Sequence, residues 1–154
     1  MKNVFLNNIG ATILVLLFGY LGYVLLMELN MFAGLKVFEV NIWIPAISIV
    51  LGVLLRIYAG YQFTKNKVNI LEMDKHSKLV MTGPFKFSRN PLYLAILLVT
   101  LGFVLLSGSW LGIIFVLIFW YVLDRVILTK EELDLEKVFG KEYIDYKNNV
   151  NRWI

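Results

Sequence analysis

No cysteine occurs among the 154 residues, which excludes disulfides, cysteine-rich zinc sites and a cysteine nucleophile. The single histidine, His76, makes a histidine metal cluster impossible as well, so no metal site is expected. Charge is scarce. Charged side chains are 17% of the chain against 59% hydrophobic ones, and the mean hydropathy is +0.72. That is more apolar surface than a small soluble domain can hide, and it implies one integral membrane domain. There is no Gly-x-Gly-x-x-Gly turn after a strand, so a soluble-type nucleotide site is excluded. No internal repeat or low-complexity linker is evident. The net charge of +4 comes from cations that flank hydrophobic runs. Contact with anionic lipid headgroups explains them, and a nucleic-acid partner is not expected.

What is present is a set of long uncharged stretches. Ile9 to Met27 is uncharged over nineteen residues, about 28 Å as a helix and close to the hydrocarbon thickness. It is too long for the core of a cleaved leader and lacks an Ala-x-Ala-like exit site. Ile42 to Phe63 is a second span, interrupted by Arg56. Pro91 to Leu123 is 33 residues without a charge, about 50 Å if it were one straight helix, so it must fold back. Ser107-Gly108-Ser109 is the expected hinge. The reading is an all-α polytopic helical bundle. Its four spans run over about residues 9–27, 42–63, 88–106 and 109–128, with a tail over 129–154.

Cations at membrane ends are retained in the cytoplasm. The loop with Lys65, Lys67, Lys75, Lys78, Lys86 and Arg89 therefore belongs inside, as does the tail with Arg125, Lys130, Lys137, Lys141, Lys147 and Arg152. Both termini, with Lys2, follow them to the cytoplasmic side, and only Lys36 falls on the outer loop. The tail spaces Leu135, Phe139, Tyr143, Tyr146, Val150 and Trp153 as one or two amphipathic helices covering the cytoplasmic mouth, broken or bent near Gly140. Gly19 and Gly22 permit close helix packing. Trp110, Trp120, Tyr121 and Trp153 read as interfacial anchors or packing residues.

Polar chemistry gathers at the inner edge. Gly83-Pro84 signals a turn, Pro91 suits a first helical turn, and Asn90 is the expected N-cap. Downstream, Glu131-Glu132 are two adjacent carboxylates beside an apolar bundle, costly unless hydrated or paired. Arg56 is an ionisable group inside a span, either functional or snorkelling. His76 reads as a solvated loop residue.

From about Ser77 to Trp153 these features resemble the membrane methyltransferases that include isoprenylcysteine carboxyl methyltransferases and phospholipid N-methyltransferases. The pattern is Leu79-Val80, Gly83-Pro84-Phe85, Arg89-Asn90-Pro91-Leu92-Tyr93, a hydrophobic hairpin, Arg125, Glu131-Glu132, and Phe139-Gly140 with Tyr143 and Tyr146. The resemblance implies S-adenosylmethionine-dependent methyl transfer to a lipid or isoprenoid-linked acceptor. It implies cofactor binding by Lys78, Leu79, Val80, Phe85, Asn90, Pro91, Leu92, Tyr93 and Glu131. Glu131 or Glu132 would favour the cofactor's positive charge, while Arg125 and Arg89 would pair with an acidic acceptor or headgroup. Asn90 departs from the histidine of the prenylcysteine branch, which removes any role needing an imidazole. Carboxylate, amine and thiol acceptors all stay open. A nicotinamide-dependent reductase of the sterol reductase type and a non-catalytic lipid-binding protein are the alternatives.

Overall fold

The computed structural model describes residues 2–35, 37–66 and 78–154, and the side chains from Ile9 onward. Lys36, Lys67, Lys75 and His76, and the side chain of Lys2, lie outside the described residues. Among the described residues six α-helices carry the fold: α1 (Lys2–Ala33), α2 (Trp43–Lys65), α3 (Pro91–Ser107), α4 (Trp110–Val122), α5 (Leu128–Phe139) and α6 (Lys141–Asn149). No strand occurs among the described residues. The protein is an all-α, multi-pass membrane bundle. Among the described residues three helical segments are long and apolar enough to cross a bilayer, Ile9–Ala33, Trp43–Lys65 and Trp110–Phe139, and Pro91–Ser107 is a shorter apolar helix beside them.

The centre of the bundle is the α2–α3 seam, built from small residues. A side chain at Gly52 would meet the Ala95 carbonyl and Val99 at 2.8 Å, and Gly102 faces the Pro45 carbonyl. Ser48 Oγ donates to the Leu98 carbonyl at 2.7 Å across the same seam. In hydrocarbon no hydrophobic force drives helices together, so close backbone approach and such bonds supply the cohesion. On α1, Gly19 receives the Phe103 ring, whereas Gly22 faces open space. Leu17, Phe18, Leu21 and Leu25 of α1 lie exposed, as a lipid-facing surface requires.

The chain reverses at Gly108, whose φ of 60° ends α3 in the left-handed region. The Phe38 N–H donates to the Gly108 carbonyl at 2.9 Å, tying the α1–α2 connection to this hairpin. A Cβ at Gly108 would collide with the Phe38 carbonyl, so both conformation and space demand glycine here. Trp110 packs against Phe38 with ring centroids 4.9 Å apart and the planes tilted by 59°.

Between α4 and α5 the helix continues without a break through a π turn, Leu123–Ile127. The whole run from Trp110 to Phe139 is 30 residues, about 45 Å. It is longer than the hydrocarbon layer, so its charged final turns project beyond the apolar zone. The π turn changes the helix phase and releases the Asp124 carbonyl from its usual intrahelical partner. That carbonyl instead accepts Thr129 Oγ1 at 3.1 Å and Arg152 Nη1 at 2.8 Å. At Gly140, with φ 53°, the chain breaks and α6 turns back under the bundle.

Candidate functional site

The end of the bundle opposite Gly108 gathers two stretches that are far apart in sequence. The first runs from Lys78 through a 3₁₀ turn, Gly83–Lys86, into the start of α3. Gly83 has φ 65° and sits against the Gln62 side chain, so a larger residue there would be strained and crowded at once. Phe85 is then buried edge-on against Phe63, at 5.3 Å and 88°. Val80, Ala59 and Leu92 complete this apolar knot. The second stretch is α5, α6 and the tail. Tyr146 Oη donates to the Phe85 carbonyl at 2.7 Å and fastens α6 to the 3₁₀ turn.

Between the two stretches lies a cleft. Lys78, Leu79, Val80, Phe85, Arg89 and Asn90 line one wall with Phe63, and Glu131, Leu135, Phe139, Tyr143 and Tyr146 line the other. The free volume is about 60 Å³, room for only a few waters. Tyr93 Oη donates to Glu131 Oε2 at 3.0 Å from just outside the lining. The other Glu131 oxygen accepts no hydrogen bond among the described residues. The Arg89 side chain is 9% exposed, and its Nε and Nη1 have no hydrogen-bond partner among the described residues. The cleft thus joins unspent guanidinium donors, a carboxylate with a free oxygen, and aromatic surface. Burial pushes the Tyr143 hydroxyl up to about 12, with Glu132 adding to the effect, and burial likewise raises Tyr146. Both phenols therefore stay neutral over ordinary pH.

Beneath the cleft is an ion cluster. Glu132 is 4% exposed. It takes Arg152 in a two-pronged bond, Nε to Oε1 at 2.9 Å and Nη2 to Oε2 at 2.8 Å. Arg89 Nη2 lies 3.3 Å from Glu132 Oε1, and Lys147 Nζ 3.8 Å from Oε2. Arg152 Nη1 also donates to Asp124 Oδ1 at 3.1 Å, as does Trp153 Nε1 at 2.9 Å. The bonds to Glu132 and Asp124 raise the Arg152 pKa further, so it remains a cation throughout. Burying the two carboxylates, Glu132 and Asp124, is tolerable only because each meets an opposite charge.

The sequence-derived candidates separate into three groups. Lys78, Leu79, Val80, Phe85, Arg89, Asn90 and Glu131 share the cleft. Pro91, Leu92 and Tyr93 stand behind it: Pro91 is fully buried, Leu92 packs into the Phe63–Phe85 knot, and Tyr93 holds Glu131. Glu132 lies in the ion cluster, and Arg125 lies outside the cleft, 68% exposed and 3.3 Å from Asp124 Oδ2. Asn90 occupies the N-cap position but does not cap, because its Nδ2 donates to the Arg152 carbonyl at 3.1 Å. Trp153 is a hydrogen-bonded part of the cluster rather than a free interfacial anchor. Arg56 is enclosed by the bundle at 8% exposure, with Tyr93 as its electrostatic neighbour. Arg152 and Lys147 were legible only as tail cations, and Phe63 only as the end of a span.

With this geometry in view, comparison with known proteins identifies the family. The family model described as phospholipid methyltransferase matches residues 40–142. The chain belongs to that family. It is 34% identical over 136 residues to the protein-S-isoprenylcysteine O-methyltransferase of Saccharomyces cerevisiae, covering 81% of this chain and 56% of the yeast protein. It is 31% identical over 132 residues to protein-S-isoprenylcysteine O-methyltransferase B of Arabidopsis thaliana, covering 80% of this chain and 64% of that protein. An uncharacterised protein of Haemophilus influenzae is 41% identical over 66 residues, 41% of this chain and 100% of that one. The chain spans less than two thirds of the length of the yeast and plant relatives. No solved structure matches significantly.

Proposed function

We propose that the protein transfers a methyl group from S-adenosylmethionine to a lipid or isoprenoid-linked acceptor at the cytoplasmic face of the membrane. The observation that carries this reading is the convergence of Arg89 and Glu131 on one cleft, with hydrogen-bonding capacity left over on both. The donor set suits a ligand carrying a carboxylate and positive charge. Arg89 Nε and Nη1 would take the carboxylate of the cofactor's amino-acid end, and the free Glu131 oxygen its ammonium or ribose hydroxyls. Phe85, Phe63 and Phe139 would cover the adenine or the sulfonium. When bound, the cofactor supplies a methyl carbon on positively charged sulfur, which leaves as a neutral thioether and needs no proton.

The protein's own work is then alignment and exclusion of water. Tyr93 fixes the Glu131 carboxylate. The Glu132–Arg152 pair and the Tyr146–Phe85 bond hold the two walls in register from below. Asn90, tied to the tail through the Arg152 carbonyl, offers no titratable group, so no general base is assigned to it. Orientation follows from charge. Lys65, Lys78, Lys86, Arg89, Lys130, Lys147 and Arg152 all belong to segments at this end of the bundle, which supports a cytoplasmic cleft and cytoplasmic termini.

Calorimetric titration of the purified protein in detergent tests the reading. Saturable S-adenosylmethionine binding is expected in the wild type, with a loss of at least about tenfold in both Glu131→Gln and Arg89→Gln at an unchanged thermal transition. Undiminished affinity in both variants would overturn the site assignment. A wild type that binds donor yet labels no component of a lipid extract would overturn the lipid acceptor.

A further inference from the structure

Arg56 is not used by the cleft described above. It sits within α2, nine residues before the end of that helix at Lys65, about 13 Å along its axis. It shares a buried stripe with Gly52, Ala59 and Phe63, the face turned toward α3. Phe63, at the polar end of the stripe, is a wall of the cleft, so Arg56 is anchored on its bilayer side. The residue is 8% exposed, its Nε has no partner, and no hydrogen bond or ion pair to its guanidinium occurs among the described residues. Its electrostatic neighbour is Tyr93, which is itself committed to Glu131. Among the described residues the other buried charges at this end are matched: Glu132 by Arg152, Arg89 and Lys147, and Asp124 by Arg152.

A guanidinium kept within an apolar span without a counter-charge costs several kcal/mol. A snorkelling arginine would lower that cost by reaching the interface, and this one is instead enclosed by the bundle. A ligand-borne anion removes the cost. The cleft already has Arg89 for an anion on the water-borne donor, with two free N–H groups. A second receptor placed deeper along α2, at the level of the apolar span, matches a group that arrives through the bilayer.

We propose that Arg56 is the receptor for an oxyanion, carboxylate or phosphate, carried by the methyl-accepting lipid, and that it positions that lipid under the donor. The inference rests on the methyltransferase reading and names the acceptor's chemistry. Arg56 is a specificity residue: it selects acceptors bearing a negative group near the reacting atom. Tyr93 is the link between the two ligands, touching Glu131 on the donor side and neighbouring Arg56 on the acceptor side.

The experiment uses the full chain in nanodiscs, donor labelled in its methyl group and a total membrane lipid extract, with wild type, Arg56→Gln and Arg56→Lys compared. Expected for Arg56→Gln are donor affinity within about twofold of wild type and a fall of about 100-fold in kcat/KM for the acceptor, the size of a lost charged hydrogen-bond pair. Arg56→Lys keeps the charge without the fork and falls in between. Label released as methanol by mild alkali identifies the anion as the methylated carboxylate. Alkali-stable label on a phosphate-bearing lipid identifies it as the phosphate beside a methylated amine. The proposal is overturned by undiminished transfer in Arg56→Gln, by a labelled product whose acceptor carried no anionic group, or by donor affinity lost at an unchanged thermal transition. The last result would give Arg56 to the donor's carboxylate. A folded wild type that binds no donor would instead refute the methyltransferase reading on which the proposal stands.

Discussion

Arg152 shows how much one side chain can organise. Its guanidinium joins Glu132 of α5 to Asp124 of the π turn, and its carbonyl takes Asn90 and Ser88 from the start of α3. Four points of the site therefore close on a single residue two places from the end of the chain. Tyr143 is a second such residue, 1% exposed between the cleft and the ion cluster. Burial lifts its hydroxyl to about 12, above the value of about 10 in an unfolded chain. The sign follows from which state releases the proton first. Below pH 10 both states hold it and Tyr143 makes no pH-dependent contribution. Between about pH 10 and 12 the unfolded chain ionises while the folded one resists, so stability falls as pH rises through that window. Thermal unfolding of Tyr143→Phe should lack this increment, giving a shallower alkaline loss than wild type; equal slopes would show that the phenol is not held neutral. Residues such as Glu131, Arg89 and Asn90 were legible in the sequence because they stand in a compact motif beside a hydrophobic run. Arg152 was not, because a tail cation that neutralises a buried glutamate has the same local signature as one that sets membrane orientation.

At the scale of elements, the helices were legible because a bilayer imposes a minimum apolar length, and the reversal at Gly108 because 33 uncharged residues exceed one crossing. The π turn had no such signal. Leu123–Ile127 contains no proline or glycine, and its departure from α geometry is tied to the partners that the Asp124 carbonyl finds in Thr129 and Arg152. Helix contacts were partly legible. The Gly19–Gly22 pair drew attention by spacing, yet the tight seam is at Gly52 and Gly102, which face backbone carbonyls across α2–α3. This contrast gives a stability prediction. Gly52→Ala should destabilise by about 1–3 kcal/mol through overpacking against Ala95 and Val99. Gly22→Ala, which meets nothing within 4 Å, should be neutral or stabilising by up to about 1 kcal/mol. Unfolding of both variants in detergent checks the order, and the reverse order would mean that α3 does not lie against Gly52.

For the whole molecule, the arrangement separates two solvents around one reaction. The α1–α2 connection is bonded to the Gly108 hairpin at one end of the bundle. The other end carries the cleft, with Arg89 among polar groups and Arg56 anchored further along α2 in the apolar zone. On the proposed reading, a water-soluble methyl donor and a lipid acceptor approach from different sides without exchanging places. With a free volume of about 60 Å³ in the cleft, donor binding is expected to move the walls and to be visible in both. Hydrogen exchange of the intact protein in nanodiscs, with and without S-adenosylmethionine, tests this most directly. The account predicts that the donor slows exchange together in residues 78–93 and 131–146, and leaves residues 37–42 and 105–112 at the far end unchanged. Slowing in only one of the two stretches, or in neither, would contradict the claim that they form a single binding site.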